Sequence, residues 1–95
     1  MVTKKPNPQG RVVVTFVTRQ PDAAMVELRG EFDGWRQSHP MRRTRDGRWR
    51  AALNLKPGRE YAFRYVVDGA QWVSDPEADK FVGNPFGGEN SVVVT

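Results

Sequence analysis

The sequence predicts an all-β protein, an antiparallel β-sandwich of immunoglobulin type with about seven short strands. Short runs in which hydrophobic and polar residues alternate recur along the chain, and turn-forming residues separate them. No stretch of about ten residues has the spacing of three and four that an amphipathic helix needs. The segment at 76–80 has room for one helical turn at most. This pattern favours an open sandwich over a closed barrel.

The individual strands are predicted from runs rich in β-branched and aromatic residues. In chain order the runs are RVVVTFVT (11–18), MVELRG (25–30), RWRAALNL (48–55), YAFRYVVD (61–68) and SVVVT (91–95). The predicted turns are Gln20-Pro21-Asp22, Asp33-Gly34, Asp46-Gly47, Lys56-Pro57-Gly58, Asp68-Gly69 and Gly87-Gly88. The first ten residues are polar and interrupted by proline, so we expect a flexible arm at 1–10 and a single domain at 11–95.

Alternation also predicts which aromatic side chains form the core. Tyr61, Phe63 and Tyr65 lie on one face of the fourth run, whereas Arg64 lies on the other face and points outward. Trp49 alternates with alanine and leucine in the third run and is assigned to the core as well. This register buries no charged side chain, which favours it.

Size and composition exclude several classes of protein. A chain of 95 residues fits one domain, and the absence of cysteine excludes disulfides and thiolate-metal sites. The apolar runs are too short for a signal sequence or a membrane span, so we expect a cytoplasmic protein with no membrane partner. The chain has 15 Lys+Arg against 11 Asp+Glu, a formal net charge of +4.

Much of the positive charge falls in one predicted hairpin. Five arginines surround its Asp46-Gly47 turn: Arg42, Arg43, Arg45, Arg48 and Arg50. Such a cluster can attract a phosphate backbone, so weak nucleic-acid binding through this hairpin is one hypothesis. No aromatic-rich RNA-binding motif accompanies the arginines, so a solvated strand face explains them better. We therefore do not expect nucleic acid to be the main partner.

The sequence offers little for catalysis, metal binding or a cofactor. His39 is the only histidine and stands next to Pro40 in a predicted polar loop, where a lone exposed histidine is usually incidental. Asp33, Asp68 and Asp75 stand beside glycine or proline, where turn formation explains them. We expect a thin sandwich of this size to lack the deep cleft that paired catalytic carboxylates require. We therefore expect neither an enzyme nor a metal or cofactor site.

Two of the three tryptophans follow glycine-containing turns instead of lying on an apolar strand face. Trp35 ends EFDGW and Trp72 ends VVDGAQW, and the long irregular region 69–88 includes the second of them. Exposed indoles near Arg64 and Asn90 suit a flat ligand with an apolar face and many hydroxyls, such as a sugar ring. The same surface could stack nucleobases.

Five segments together resemble carbohydrate-binding module family 48, which includes the glycogen-binding domain of the AMP-activated protein kinase β subunit. They are VELRGEFDGW (26–35), Pro40-Met41, DGRWRAALNLKPGREYAFRYVVDG (46–69), Trp72 with Asp75-Pro76, and FGGENSVVV (86–94). The family also includes the early-set domains of isoamylases and glycogen branching enzymes. The resemblance covers residues 11–95 and is strongest to small stand-alone bacterial early-set proteins.

The resemblance implies a non-catalytic early-set sandwich that binds α-1,4-linked glucan: glycogen, starch or maltooligosaccharides. By position, Trp35 and Trp72 match the two stacking tryptophans of the kinase-type domains, and Asn90 matches their hydroxyl-binding asparagine. Arg64 stands where those domains have a lysine, which keeps the charge but changes its geometry. Phe86 stands where they have a leucine, so a stacking ring replaces an inserted side chain. Two residues, instead of one, separate the Asp-Gly turn from Trp72.

Other interpretations of these residues remain open at this point. The tryptophans could plug the end of the sandwich, and Phe86 could belong to the core. Arg64 could be a solvated strand charge, and Asn90 could form the turn before the last strand. As a different function, the chain could be an accessory domain that docks on a glucan-metabolising enzyme of the glycoside hydrolase family 13 type, as early-set domains do within multidomain chains.

Overall fold

The structure, a computed structural model, describes all residues from Met1 to Thr95. It contains ten strands and one short 3-10 helix at Glu31–Asp33. The strands are β1 (Val2–Pro6), β2 (Val12–Arg19), β3 (Val26–Gly30), β4 (His39–Pro40), β5 (Arg42–Arg43), β6 (Arg48–Leu55), β7 (Glu60–Val67), β8 (Gln71–Val73), β9 (Lys80–Gly83) and β10 (Glu89–Val94). None of the helical structure has the length and apolar character needed to cross a membrane.

The strands form two antiparallel sheets. The four-stranded sheet has the order β1-β2-β6-β5. The six-stranded sheet has the order β4-β3-β7-β10-β9, and β8 also pairs with β7. The predicted all-β sandwich is confirmed, with ten strands instead of about seven. The additional strands are mostly short pieces at the edges of the sheets.

The core lies between the sheets and follows the alternation seen in the sequence. Along β2, Val12, Val14 and Phe16 are buried, while the residues between them are half-buried on the opposite face. The rings of Phe16 and Phe63 meet edge to face, with centroids 4.9 Å apart, so the two sheets contact each other directly. Aromatic pairs favour this arrangement over a stacked one.

The predicted aromatic core is confirmed. Trp49, Phe63 and Tyr65 are buried, and Tyr61 packs against them partly buried. The indole N–H of Trp49 donates a hydrogen bond to the backbone carbonyl of Gln20 at 3.0 Å. The only hydrogen-bond donor of this buried indole is therefore satisfied.

One buried polar cluster interrupts this core. The hydroxyl of Tyr65 donates to Asp75 Oδ2 at 2.7 Å, and the backbone N–H of Asp75 donates to Ser91 Oγ at 2.6 Å. The amino group of Met1 also contacts the Asp75 carboxylate. Burial, and then the negative charge of Asp75 and the hydrogen bond to it, raise the pKa of Tyr65. The phenol therefore stays protonated far into the alkaline range.

The flexible arm expected at residues 1–10 is corrected by the structure. Within this stretch Val2–Pro6 forms the edge strand β1, which pairs with β2 from Val2 opposite Phe16 to Pro6 opposite Val12. Lys4 Nζ lies 2.6 Å from Asp79 Oδ2 and ties this strand to the rest of the molecule. Lysine and proline are typical of protected sheet edges, so their presence did not exclude a strand.

Candidate functional site

All five site residues predicted from the sequence line one cavity of about 630 Å³. They are Trp35, Arg64, Trp72, Phe86 and Asn90, and the lining is completed by Asn84 and Pro85. These residues come from the turn after β3, from β7, β8 and β10, and from the loop that precedes β10. The cavity lies on the outer face of the six-stranded sheet, because Arg64 stands between Phe63 and Tyr65, whose side chains belong to the core.

A tight turn holds Trp35 at one side of the cavity. The 3-10 helix is followed by Gly34, with φ at 70°, and Trp35 itself has φ at 64°. The backbone N–H of Trp35 donates to the carbonyl of Gly30 at 2.9 Å, which closes the turn. Left-handed backbone is uncommon for a bulky residue, and such conformations cluster at functional sites. The turn therefore fixes the half-buried indole against the sheet.

Trp72 supplies the second aromatic surface. It lies on β8, opposite Val66 of β7, and its side chain is 41% exposed. Its ring centroid is 6.5 Å from that of Trp35, and the two ring planes are inclined by 41°. The two indoles thus form one continuous, angled aromatic surface. Trp72 does not belong to the hydrophobic core, so it does not close the end of the sandwich.

Arg64 anchors the strand that carries Trp72. One terminal guanidinium nitrogen donates to the backbone carbonyl of Trp72 at 3.0 Å. The Nε of Arg64 is buried and has no hydrogen-bond partner. The remaining N–H groups on the terminal nitrogens of Arg64 make no other hydrogen bond, so a ligand oxygen in the cavity can accept from them. This position differs from that of a freely solvated strand charge.

A loop closed by Asn84 presents the last two predicted residues. Asn84 Oδ1 accepts hydrogen bonds from the backbone N–H groups of Phe86 at 2.9 Å and Gly88 at 3.2 Å. Its amide nitrogen lies 3.5 Å from Asn90 Oδ1, near the limit for a hydrogen bond. Phe86 is 95% exposed, so it does not belong to the core. The loop holds an exposed ring beside a pair of amides that can exchange hydrogen bonds with hydroxyls.

Two residues near the cavity were not predicted from the sequence. The Asn84-Pro85 dipeptide was visible in the long loop, but the bonds of Asn84 to its own loop depend on the turn that it forms. Arg29 lies on β3 directly opposite Arg64, and its guanidinium carbon is 5.9 Å from the ring centroid of Trp72. The outward position of Arg29 can be predicted from alternation along β3. Its position beside Arg64 depends on the pairing of β3 with β7.

The residues considered for catalysis have separate structural roles. His39 was predicted in a polar loop, but it is half-buried on β4, where its Nε2 lies 2.8 Å from Asp33 Oδ2. Asp68 Oδ1 accepts from two backbone N–H groups ahead of β3, and Asp75 lies in the buried cluster with Tyr65. The three aspartates therefore do not converge on the cavity. No group of three or more histidines, cysteines and carboxylates has an arrangement suited to a metal ion.

The arginine hairpin lies on the other sheet. Its five arginines are exposed, on or between β5 and β6. Two of them have local partners, since Arg48 Nε lies 3.3 Å from Asp46 Oδ2 and Arg43 donates to the carbonyl of Pro21 at 3.2 Å. The remaining charge gives this sheet a cationic outer face, whereas the cavity of Trp35 and Trp72 belongs to the six-stranded sheet.

The family of the chain follows from a comparison with known protein families. Residues 12–95 match the family described as the glycogen recognition site of AMP-activated protein kinase. The chain belongs to this family of glycogen recognition modules. The resemblance to carbohydrate-binding module family 48 is therefore confirmed, and membership indicates a binding domain.

Two curated relatives are similar to this glycogen recognition module over part of its length. Protein PTST homolog 2, chloroplastic, of Arabidopsis thaliana is 41% identical over 54 residues, which are 57% of this chain and 10% of that protein. The 1,4-alpha-glucan branching enzyme GlgB of Photobacterium profundum is 40% identical over 52 residues, 53% of this chain and 7% of the enzyme. The module thus spans a tenth or less of the length of these relatives.

Solved structures show the same fold inside larger enzymes. Pullulanase from Anoxybacillus sp. LM18-11, complexed with maltotetraose, aligns with a TM-score of 0.72 and 21% identity over 99% of this chain and 13% of the enzyme. Ferric enterobactin esterase from Salmonella typhimurium aligns with a TM-score of 0.81 and 12% identity over 99% of this chain and 34% of that chain. At these identities the comparison supports the sandwich fold alone.

Proposed function

We propose that the chain is a non-catalytic module that binds α-1,4-linked glucan in the cavity around Trp35 and Trp72. The observation that carries the proposal is the meeting of five predicted residues in that one cavity. Membership of a glycogen recognition family supplies the class of ligand. The name of the branching enzyme relative also refers to 1,4-alpha-glucan. Glycogen, starch and maltooligosaccharides all present this linkage.

The apolar part of the interaction is stacking on the two indoles. The C–H face of a pyranose ring can lie flat on an indole and remove both surfaces from water. Two half-covered indoles contribute on the order of 4 to 6 kcal/mol before the cost of association. That cost leaves an affinity in roughly the millimolar to micromolar range for a short oligosaccharide. A polymer with repeated sites gains further through effective concentration.

The polar part comes from the cavity wall. Arg64 lines the cavity and can donate from its terminal nitrogens to sugar hydroxyls. Asn90 can both donate and accept, as a hydroxyl pair requires. The 41° angle between the indole planes suits a chain that turns from one sugar to the next better than a flat ribbon.

The proposal is tested by titration of maltoheptaose while intrinsic tryptophan fluorescence is recorded. We expect a saturable change in emission, together with retention of the protein on amylose. Trp35→Ala and Trp72→Ala should each weaken binding by about tenfold or more, because each removes half of the stacking surface. A matched control is Phe81→Ala, since Phe81 is 42% exposed on β9 but does not line the cavity. Unchanged emission together with no retention on amylose would refute glucan binding.

We further propose that the module serves a glucan-metabolising enzyme as an accessory partner. Its match to 10% and 7% of the two curated relatives supports this, because domains of this kind occur within much longer chains. Affinity capture with the protein from a cell extract, in the presence of excess maltoheptaose to block glucan bridges, should retain an amylolytic activity. Loss of that activity when glucan is blocked would show that the association runs through the sugar alone.

A further inference from the structure

Two arginines face each other beside the tryptophans on the outer surface of the six-stranded sheet. Arg29 of β3 is the direct cross-strand partner of Arg64 of β7. Like charges in this arrangement repel each other, so the pair is unfavourable unless something compensates it. Neither arginine makes an ion pair with a carboxylate. Glu27, on the same face of β3, contacts the hydroxyl of Ser38 instead.

Most hydrogen-bond donors of the two arginines have no partner. Arg29 donates from one terminal nitrogen to the backbone carbonyl of Arg36 at 3.4 Å, and Arg64 donates in the same way to Trp72 at 3.0 Å. The Nε atoms of both are buried and unpaired. A guanidinium has five N–H donors, so each side chain retains several for a ligand.

The position of the pair connects it to the glucan site. Arg64 lines the cavity, and the guanidinium carbon of Arg29 lies 5.9 Å from the ring centroid of Trp72. Arg29 does not itself line the cavity, so a sugar stacked on Trp72 would reach both arginines only through a substituent that projects beyond that ring. The contacts to backbone carbonyls and to the indole hold Arg64 in the cavity wall and Arg29 against Trp72.

We propose that Arg29 and Arg64 form an anion subsite, and that the preferred ligand is an α-glucan that carries a phosphate monoester. The inference rests on the proposed function, because the glucan must first occupy the tryptophans. A phosphate monoester carries a charge of about −1.5 to −2 near neutral pH and has three acceptor oxygens. Two adjacent cations match the charge of a phosphate monoester better than the single charge of a carboxylate. A guanidinium group can also donate two parallel hydrogen bonds to two phosphate oxygens.

The experiment compares one maltodextrin in two forms. The first form carries glucose 6-phosphate residues, and the second is the same preparation after phosphatase treatment. We expect the phosphorylated form to bind about tenfold more tightly by calorimetry, a typical gain for hydrogen bonds to a charged group. Raising sodium chloride to about 0.5 M should reduce that ratio, because salt screens charge interactions.

Variants assign the preference to the arginine pair. Arg29→Gln should reduce the ratio of the two affinities, since it removes one of the two cations and leaves Arg64 in place. Arg42→Gln is the matched control, because it removes the same charge from the outer face of the other sheet. A preference that is undiminished in Arg29→Gln, or that falls equally in Arg42→Gln, would overturn the subsite.

The outcomes separate this inference from glucan binding itself. Equal affinity for both maltodextrins refutes the anion subsite and leaves glucan binding intact. No binding of either form refutes the proposed function as well. Inorganic phosphate and glucose 6-phosphate serve as the third arm. If either binds the protein as tightly as the phosphorylated maltodextrin does, the site takes small phosphates and the glucan part of the inference is wrong.

Discussion

At the residue scale, the side chain of Asn84 connects the loop at 84–88 to Asn90 in the cavity. Its side-chain oxygen accepts from the backbone of Phe86 and Gly88, and its amide faces Asn90. Asn84→Ala removes these contacts from a loop on the surface, so we expect the fold to keep nearly all of its stability. The affinity for maltoheptaose should fall by about tenfold, because the loop loses the hydrogen bonds that hold the Phe86 ring and the Asn90 amide in place.

The matched variants for Asn84 separate loop geometry from simple loss of an amide. Asn84→Asp keeps the oxygen that accepts from the backbone, and it should retain most of the affinity. Asn54→Ala removes an exposed asparagine from β6 on the other sheet and should change nothing. Equal binding by Asn84→Ala and the native protein would show that the loop needs no such closure.

Tyr65 makes stability depend on alkaline pH. Its folded-state pKa is raised by burial and by Asp75, so the unfolded chain releases this proton first as the pH rises. The contribution of this group to stability is complete below the unfolded value of about 10 and declines above it, by about 1.4 kcal/mol per pH unit. Urea denaturation between pH 9 and 11, expressed as a slope against pH, measures the effect.

Tyr65→Phe should lower stability near neutral pH by about 1 to 3 kcal/mol, because the buried Asp75 loses a hydrogen-bond donor. It should also flatten the alkaline decline relative to the native chain. Tyr61→Phe is the control, because Tyr61 makes no hydrogen bond to a carboxylate. An identical alkaline slope in the native chain and in Tyr65→Phe would contradict the role assigned to this phenol.

At the scale of elements, the long strands could be predicted and the short ones could not. The strands β2, β6 and β7 each have eight residues, enough for alternation to show both faces. By contrast β4 and β5 have two residues each, and β8 has three. Such short segments form strands because they pair with a longer neighbouring strand. Their own side chains do not show which strand that neighbour is.

The same reason limits prediction of the site. Trp35 and Trp72 could be singled out because each follows a turn whose residues are visible in the sequence. Arg64 followed from alternation along one strand. Arg29 could not be placed beside it, because their meeting depends on β3 lying next to β7 in the sheet. Residues that meet across strands need the strand order, which a single sequence does not give.

The turn that carries Trp35 begins at a glycine for which the structure leaves no alternative. A Cβ at Gly30 would lie 2.5 Å from a ring carbon of Phe32 and 2.7 Å from the backbone oxygen of Ala62. Gly30→Ala should therefore destabilise the protein by about 1 to 3 kcal/mol through overpacking. It should also weaken maltoheptaose binding, because the same residue accepts the hydrogen bond that closes the turn at Trp35.

A second glycine provides the comparison for Gly30. Gly83 lies on the edge strand β9, and a Cβ there would meet no atom within 4 Å. We expect Gly83→Ala to change the free energy of unfolding by no more than about 0.5 kcal/mol. Chemical denaturation of both variants checks the pair. Similar losses in the two would mean that intrinsic strand preference, and not crowding at Phe32, governs these positions.

At the scale of the whole molecule, the cavity exists only in the folded state. Its residues come from the turn after β3, from β7, β8 and β10, and from the loop at 84–88, which the unfolded chain does not hold together. A ligand of this cavity must therefore stabilise the fold by mass action. At a maltoheptaose concentration of 100 times Kd the gain is about 2.7 kcal/mol. In a domain of this size that gain raises Tm by on the order of 10 °C.

Thermal unfolding followed by circular dichroism tests this coupling with two sugars. Maltoheptaose should raise Tm, whereas the β-1,4-linked cellohexaose should raise it far less, because its straight chain cannot follow indoles inclined by 41°. Trp72→Ala should show a smaller shift with maltoheptaose than the native protein does, because half of the stacking surface is gone and the affinity is weaker. Equal shifts with both sugars would indicate general solvation of the protein by carbohydrate, and the angle between the tryptophans would then have no part in recognition.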